Sequence, residues 1–149
     1  LTEDGAYEVP EELKEKIQSL FWAGCCGDDE TKQTIGRVWQ EHHYLCDTHT
    51  AVAWNVAQQY KAANPAHAPV VVLSTASPYK FPAAVLGGLG EKAEGDEFAV
   101  MEQLERLTRI PAPKNLRGLR ERPVRHTTVL DREEMLPFVL EKAQEKKWF

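Results

Sequence analysis

Positive charge is in short supply in this chain. Against 23 acidic residues stand 18 lysines and arginines, a formal net charge of −5 over 149 residues. No broad positive field exists to hold a nucleic-acid backbone, so no nucleic-acid partner is expected. Long apolar runs are missing too. The most apolar stretches, "APVVVL" at 68–73 and "FPAAVLGGL" at 81–89, fall far short of the roughly 20 residues that cross a bilayer as a helix. No membrane partner is expected. The chain opens Leu-Thr-Glu-Asp, without the basic-then-apolar order of a secretory signal, and the expected location is cytoplasmic. Leu in place of Met at position 1 leads to the expectation of a chain cut from a longer one.

Cysteine is scarce. Cys25, Cys26 and Cys46 form neither a disulfide framework nor a CxxC redox pair, and read as buried or half-buried thiols. A zinc site needs three or four ligands converging tetrahedrally, usually on paired short spacings. His42, His43, Cys46 and His49 instead straddle a predicted helix end and a cap, so no metal is expected. The phosphate-loop patterns G-x-x-x-x-G-K-[ST] and G-x-G-x-x-G are absent. The glycines of "LGGLG" at 86–90 follow a predicted helix where a phosphate loop would precede one, and read as a helix stop.

What is present is ordinary for a globular chain: 42% hydrophobic and 28% charged residues, enough for a single domain over 1–149 with a real core. "GAYEV" at 5–9 reads as a short strand, followed by Pro10 in the first turn of a helix with Leu13, Ile17 and Leu20 on one face. Asp28 is placed to cap a helix through Ile35, Val38, Trp39 and His42, and Asp47 or Thr48 to cap another through Val52, Val56 and Tyr60. "ANPAHAP" at 63–69 ends it. The β-branched run "VVVLS" at 70–74 suits a parallel strand covered on both faces. Further helices are expected over about 81–89, after Asp96, and after Asp131, where Glu134 completes a capping box. Between the last two lies a loop, "IPAPKNLRGLRERPV" at 110–124. The expected class is α/β, helix-rich around a small, mainly parallel sheet.

That sheet would place "STASPYKF" at 74–81 beyond a strand's carboxyl end, where ligands bind in open parallel sheets. Several chemistries fit. Ser77 and Lys80 match the S-x-x-K pattern of serine acyl hydrolases, although the companion S-D-N and K-T-G motifs are absent. A hydroxyl at the strand end, Ser74 or Thr75, could instead bond a ring nitrogen or phosphate of a ligand, or simply satisfy the following turn. A stand-alone ligand-binding or regulatory α/β domain without chemistry is a further alternative.

Two stretches together carry a resemblance. "STASPYKFP" at 74–82 resembles the T-A-x-P-x-K-F signature of threonine synthase, and "CDTHTAVAW" at 46–54 resembles its D-P-H-T-A-V-A signature. "GAYEVPEELKEKI" before them and a tail ending "EKAQEKKWF" after them fit in the same order. The resemblance implies the C-terminal portion of a pyridoxal-phosphate enzyme of fold type II. The whole enzyme would convert O-phospho-L-homoserine and water to L-threonine and phosphate. It implies cofactor contact by Thr75 at the pyridine nitrogen, with Ser74 as the adjacent fallback, and pocket-shaping roles for His49, Thr50 and Lys80. It assigns no catalytic residue to this stretch, because the Schiff-base lysine belongs to an upstream half whose motif no part of this sequence matches. The chain is then expected to pack on that upstream half, to be inactive by itself, and not to retain the cofactor alone. One departure stands out: Asp47-Thr48 replaces the family's usual Asp-Pro.

Overall fold

A computed structural model describes residues 5–66 and 68–145. Residue 1, His67 of the 63–69 loop and the last four residues of the "EKAQEKKWF" tail lie outside the described residues. The chain divides into two compact units, Leu1–Arg117 and Gly118–Phe149.

Among its described residues the first unit holds six α-helices: α1 (Glu11–Gln18), α2 (Asp28–His42), α3 (Thr48–Ala63), α4 (Pro82–Gly88), α5 (Glu97–Thr108) and the single turn α6 (Lys114–Arg117). Local chemistry explains most of their starts. The Asp96 carboxylate accepts the Ala99 N–H at 2.8 Å and so begins α5. For α2 the cap is Gly27, not Asp28: the Gly27 N–H donates to the Glu30 carboxylate at 2.9 Å, and Asp28 becomes the first helical residue at the positive helix end. Pro10 likewise sits one residue ahead of α1. A 3-10 turn at Pro78–Lys80 leads into α4, and α6 lies inside the stretch expected to be loop.

Ile35 and Val38 of α2, Ala51 of α3, Val85 and Leu86 of α4, and Val100 and Leu104 of α5 form the core with Leu45, Cys46, Tyr79 and Ala112. Two glycines set the α2–α4 crossing. A Cβ on Gly36 would lie 2.5 Å from the Gly88 carbonyl oxygen, and one on Gly88 would meet Ile35 Cβ at 2.8 Å and the Lys32 carbonyl oxygen at 2.9 Å. Gly88, read from sequence as part of a helix stop, is thus a packing residue inside α4; Leu89 ends the helix and Gly90, at φ +83°, turns the chain away.

The expected α/β class with its mainly parallel sheet is overturned. Among the described residues there is no strand, neither at 5–9 nor at 70–74. Residues 70–75 run without helix or ladder, because a strand is completed only by a partner's N–H and C=O groups and no described segment supplies them. Side chains still alternate along the run. Val70 to Leu73 line an apolar groove with Trp22 and with Ala53, Val56, Ala57 and Tyr60 of α3, yet Val71 and Leu73 remain 81% and 73% exposed.

In the second unit, Asp131 and Glu134 form the expected capping box, with the Asp131 N–H donating to the Glu134 carboxylate at 2.9 Å. A 3-10 turn at Arg132–Glu134 then passes into α7 (Met135–Glu145), whose Met135, Leu136, Val139 and Leu140 are exposed. Among the described residues no helix is long and apolar enough to cross a membrane.

Candidate functional site

The start of α3 is built around one buried carboxylate. Asp47 is 0% exposed, and its Oδ1 accepts the backbone N–H groups of His49 at 2.9 Å and Thr50 at 3.2 Å. Its Oδ2 takes the Thr50 hydroxyl in a short hydrogen bond. Of the two caps that the sequence allowed, Asp47 or Thr48, the structure selects Asp47. The family's Asp-Pro dipeptide is therefore dispensable here: the cap is the carboxylate, and Thr48 needs only to accept a helical φ.

Thr50 also reaches across the fold. Its Oγ1 lies 3.2 Å from Oγ of Ser74, and the Tyr44 phenol donates to the same Ser74 oxygen at 3.1 Å. The 46–54 and 74–82 segments, 24 residues apart at this contact, are thus joined through side-chain hydroxyls. Tyr44 had no signal in the sequence, since its partner is 30 residues away and belongs to no local period.

The other expected site residues sit as follows. Thr75 is exposed, and its hydroxyl has no partner among the described residues. His49 has Nδ1 3.4 Å from Asp47 Oδ1, and its ring lies against Phe81 with centroids 5.5 Å apart. His49 also borders an open cleft of about 740 Å³ together with Cys26, Lys32 and Glu91, but neither Ser74 nor Thr75 lines it. Lys80 is exposed and makes no ion pair among the described residues. Ser77 accepts the Tyr79 N–H at 3.3 Å and so caps the 3-10 turn. The Lys80 backbone N–H donates to the Ser77 carbonyl at 3.0 Å within that turn, but no side-chain hydrogen bond joins Ser77 to Lys80 among the described residues. Tyr79, buried, donates to the Ile110 carbonyl and fastens the turn to the end of α5; burial pushes its phenol pKa up.

The cysteines and histidines near α3 face apart. Burial pushes the Cys46 thiol up to about 11, with the Asp47 charge adding to it, so the thiolate that would bind metal or attack carbon is disfavoured. The His42 ring lies 5.5 Å from Trp54, and His43 stands edge-on to Trp39 at 6.2 Å. Among the described residues no three His, Cys, Asp or Glu side chains converge on a metal position.

The family described as "Threonine synthase, C-terminal" matches residues 50–139, more than half of the chain. The chain belongs to the threonine synthase C-terminal family. Within that family it is similar to human "Threonine synthase-like 2", 34% identical over 101 residues, which is 67% of this chain and 21% of that protein. It is also similar to mouse "Threonine synthase-like 1", 36% identical over 80 residues, covering 54% of this chain and 10% of the relative. "Threonine synthase" of Pseudomonas aeruginosa is 32% identical over 88 residues, 58% of this chain and 18% of the relative. The chain thus spans about a fifth or less of the length of these relatives. Membership in the threonine synthase family gives the Thr50–Ser74 contact its context, since it joins the two signatures that carry the resemblance.

Proposed function

We propose that this chain supplies the pyridine-nitrogen wall of a pyridoxal-phosphate site in an enzyme that converts O-phospho-L-homoserine and water to L-threonine and phosphate. The observation that carries the reading is the meeting of Thr50 and Ser74 at 3.2 Å. It fastens one family signature to the other and leaves the adjacent Thr75 hydroxyl without a partner among the described residues.

The residues fit one side of the group. A hydroxyl that faces a ring nitrogen must have its proton to give, and Thr75 has no competing acceptor. Bound pyridoxal phosphate supplies the electron sink, and the protein supplies orientation and proton transfer. As a weaker acid than a carboxylic group, the Thr75 hydroxyl leaves the ring nitrogen less permanently cationic. The phosphate and Schiff-base positions have no counterpart among the described residues. Gly36 and Gly88 are consumed by helix packing, and the resemblance assigns Lys80 to a second lysine, not the cofactor's. The enzyme is accordingly a lyase of threonine biosynthesis only with its upstream half, and the chain alone is expected to be inactive.

The unpaired 70–75 segment supports packing on that upstream half. Its β-branched pattern suits burial on both faces, yet Val71 and Leu73, although they border the groove on α3, stay 81% and 73% exposed.

Thr75→Val tests the site. In the full-length protein loaded with pyridoxal phosphate, the substitution is expected to shift cofactor absorbance and slow turnover by about 10- to 1000-fold, the scale on which a donor to a reacting system acts. Unchanged spectra and rates would remove Thr75 from the pocket.

A further inference from the structure

A threonine hydroxyl has a single proton, and in the cluster around Asp47 the one on Thr50 faces two acceptors. Asp47, as a carboxylate, only accepts, and its Oδ2 takes the Thr50 proton. The same Thr50 hydroxyl donates toward Ser74 Oγ at 3.2 Å, so its one proton is shared between the carboxylate and the Ser74 oxygen. Ser74 also accepts from Tyr44 at 3.1 Å. Two hydroxyls, Tyr44 and Thr50, thus converge on Ser74 Oγ, and Thr50 is itself held by the buried carboxylate.

The consequence falls on the two candidate cofactor residues. Ser74 Oγ is engaged as an acceptor by both Tyr44 and Thr50. Thr75, the next residue, is exposed and uncommitted among the described residues. With no ladder along 70–75, the Ser74 side chain is the tie that fixes the backbone beside Thr75 to the α3 N-terminus.

We propose that Thr50, held by Asp47, is a positioning residue for the Thr75 hydroxyl, and that Ser74 is the anchor through which it acts. What Thr75 faces rests on the pyridoxal-phosphate reading; the anchoring stands on the hydroxyl chain by itself. The two halves are measured separately.

Backbone nitrogen-15 relaxation on the 149-residue chain reads the anchor without cofactor. Order parameters at Ser74 and Thr75 are expected near the ~0.85 of rigid backbone in the native chain, and below ~0.6 in Thr50→Val. The valine keeps the side-chain shape and removes only the bridging hydroxyl. Thr50→Ser keeps the hydroxyl and is expected to retain the native values. In the full-length protein with pyridoxal phosphate added, Thr50→Val is expected to shift cofactor absorbance in the direction that Thr75→Val does, with Thr50→Ser again close to native. Lost order in Thr50→Val without a spectral change keeps the anchor and refutes the pyridoxal-phosphate reading. Native order in Thr50→Val, or a loss that Thr50→Ser shares, overturns the proposal, because the hydroxyl is then not what holds Ser74.

Discussion

Replacing Asp47 with alanine is expected to lower unfolding stability by about 2–4 kcal/mol. Two separable losses contribute. Removing an aspartate N-cap costs roughly 1 kcal/mol, because helix N–H groups, here those of His49 and Thr50, lose their acceptor. The buried Thr50 hydroxyl loses its acceptor as well, and an orphaned buried donor costs about 1–3 kcal/mol. Asp47→Asn separates the terms. Its amide oxygen can still cap, and its NH2 can donate to Thr50 where the carboxylate accepted, so the loss should be less than half as large. Urea titration with an unchanged m-value measures both variants. Equal losses would mean that the cap and the hydroxyl chain are not distinct contributions.

Gly36→Ala is expected to destabilise by roughly 1–3 kcal/mol, the usual cost of forcing extra volume into a packed interior. The direction is informative because helix propensity argues the other way: alanine is favoured over glycine inside a helix by about 1 kcal/mol. The new methyl would lie 2.5 Å from the Gly88 carbonyl oxygen, and that atom belongs to the backbone of α4, which cannot swing aside as a long side chain can. Either the α2–α4 crossing opens or α4 shifts. Since α4 follows directly on the 3-10 turn of the 74–82 segment, the strain reaches the proposed site. Thermal unfolding of Gly36→Ala reads the sign, and a rise in Tm would show that the two helices have slack at this crossing.

Helix starts were the most legible feature in the sequence, because a cap is a contact between residues two or three positions apart. Asp47, Asp96 and the Asp131/Glu134 pair could all be placed before any fold was known. Gly27 was missed in favour of Asp28 because the deciding bond comes from Glu30 reaching back to the Gly27 N–H, and either residue offers a plausible cap by composition. The strand at 70–74 failed for the opposite reason. Its β-branched run suits a two-sided burial, but ladder partners are remote by nature, and among the described residues it meets α3, Trp22 and Tyr44, not a second strand. Gly88 was read through its place at a helix end, whereas its use is set by Ile35 and Lys32, more than 50 residues earlier in the sequence.

The site was legible in a similar measure. Thr75, Ser74 and Thr50 were singled out through the two signatures, and the structure brings Thr50 and Ser74 together. It joins Lys80 to Ser77 through the backbone of the 3-10 turn and not, among the described residues, through their side chains, and it places His49 beside Phe81 and an open cleft. What no local pattern could show was the convergence of the Tyr44 and Thr50 hydroxyls on Ser74 beside a buried carboxylate. That depends on Asp47 being fully buried and on Tyr44 approaching Ser74 from outside both motifs.

The most direct measurement is release of phosphate and threonine from O-phospho-L-homoserine. It compares the full-length protein carrying this chain with the 149-residue chain alone, each supplied with pyridoxal phosphate. The account predicts equal amounts of phosphate and L-threonine from the full-length protein and none from the chain alone. No phosphate from the full-length protein, or phosphate released by the isolated chain, would contradict it.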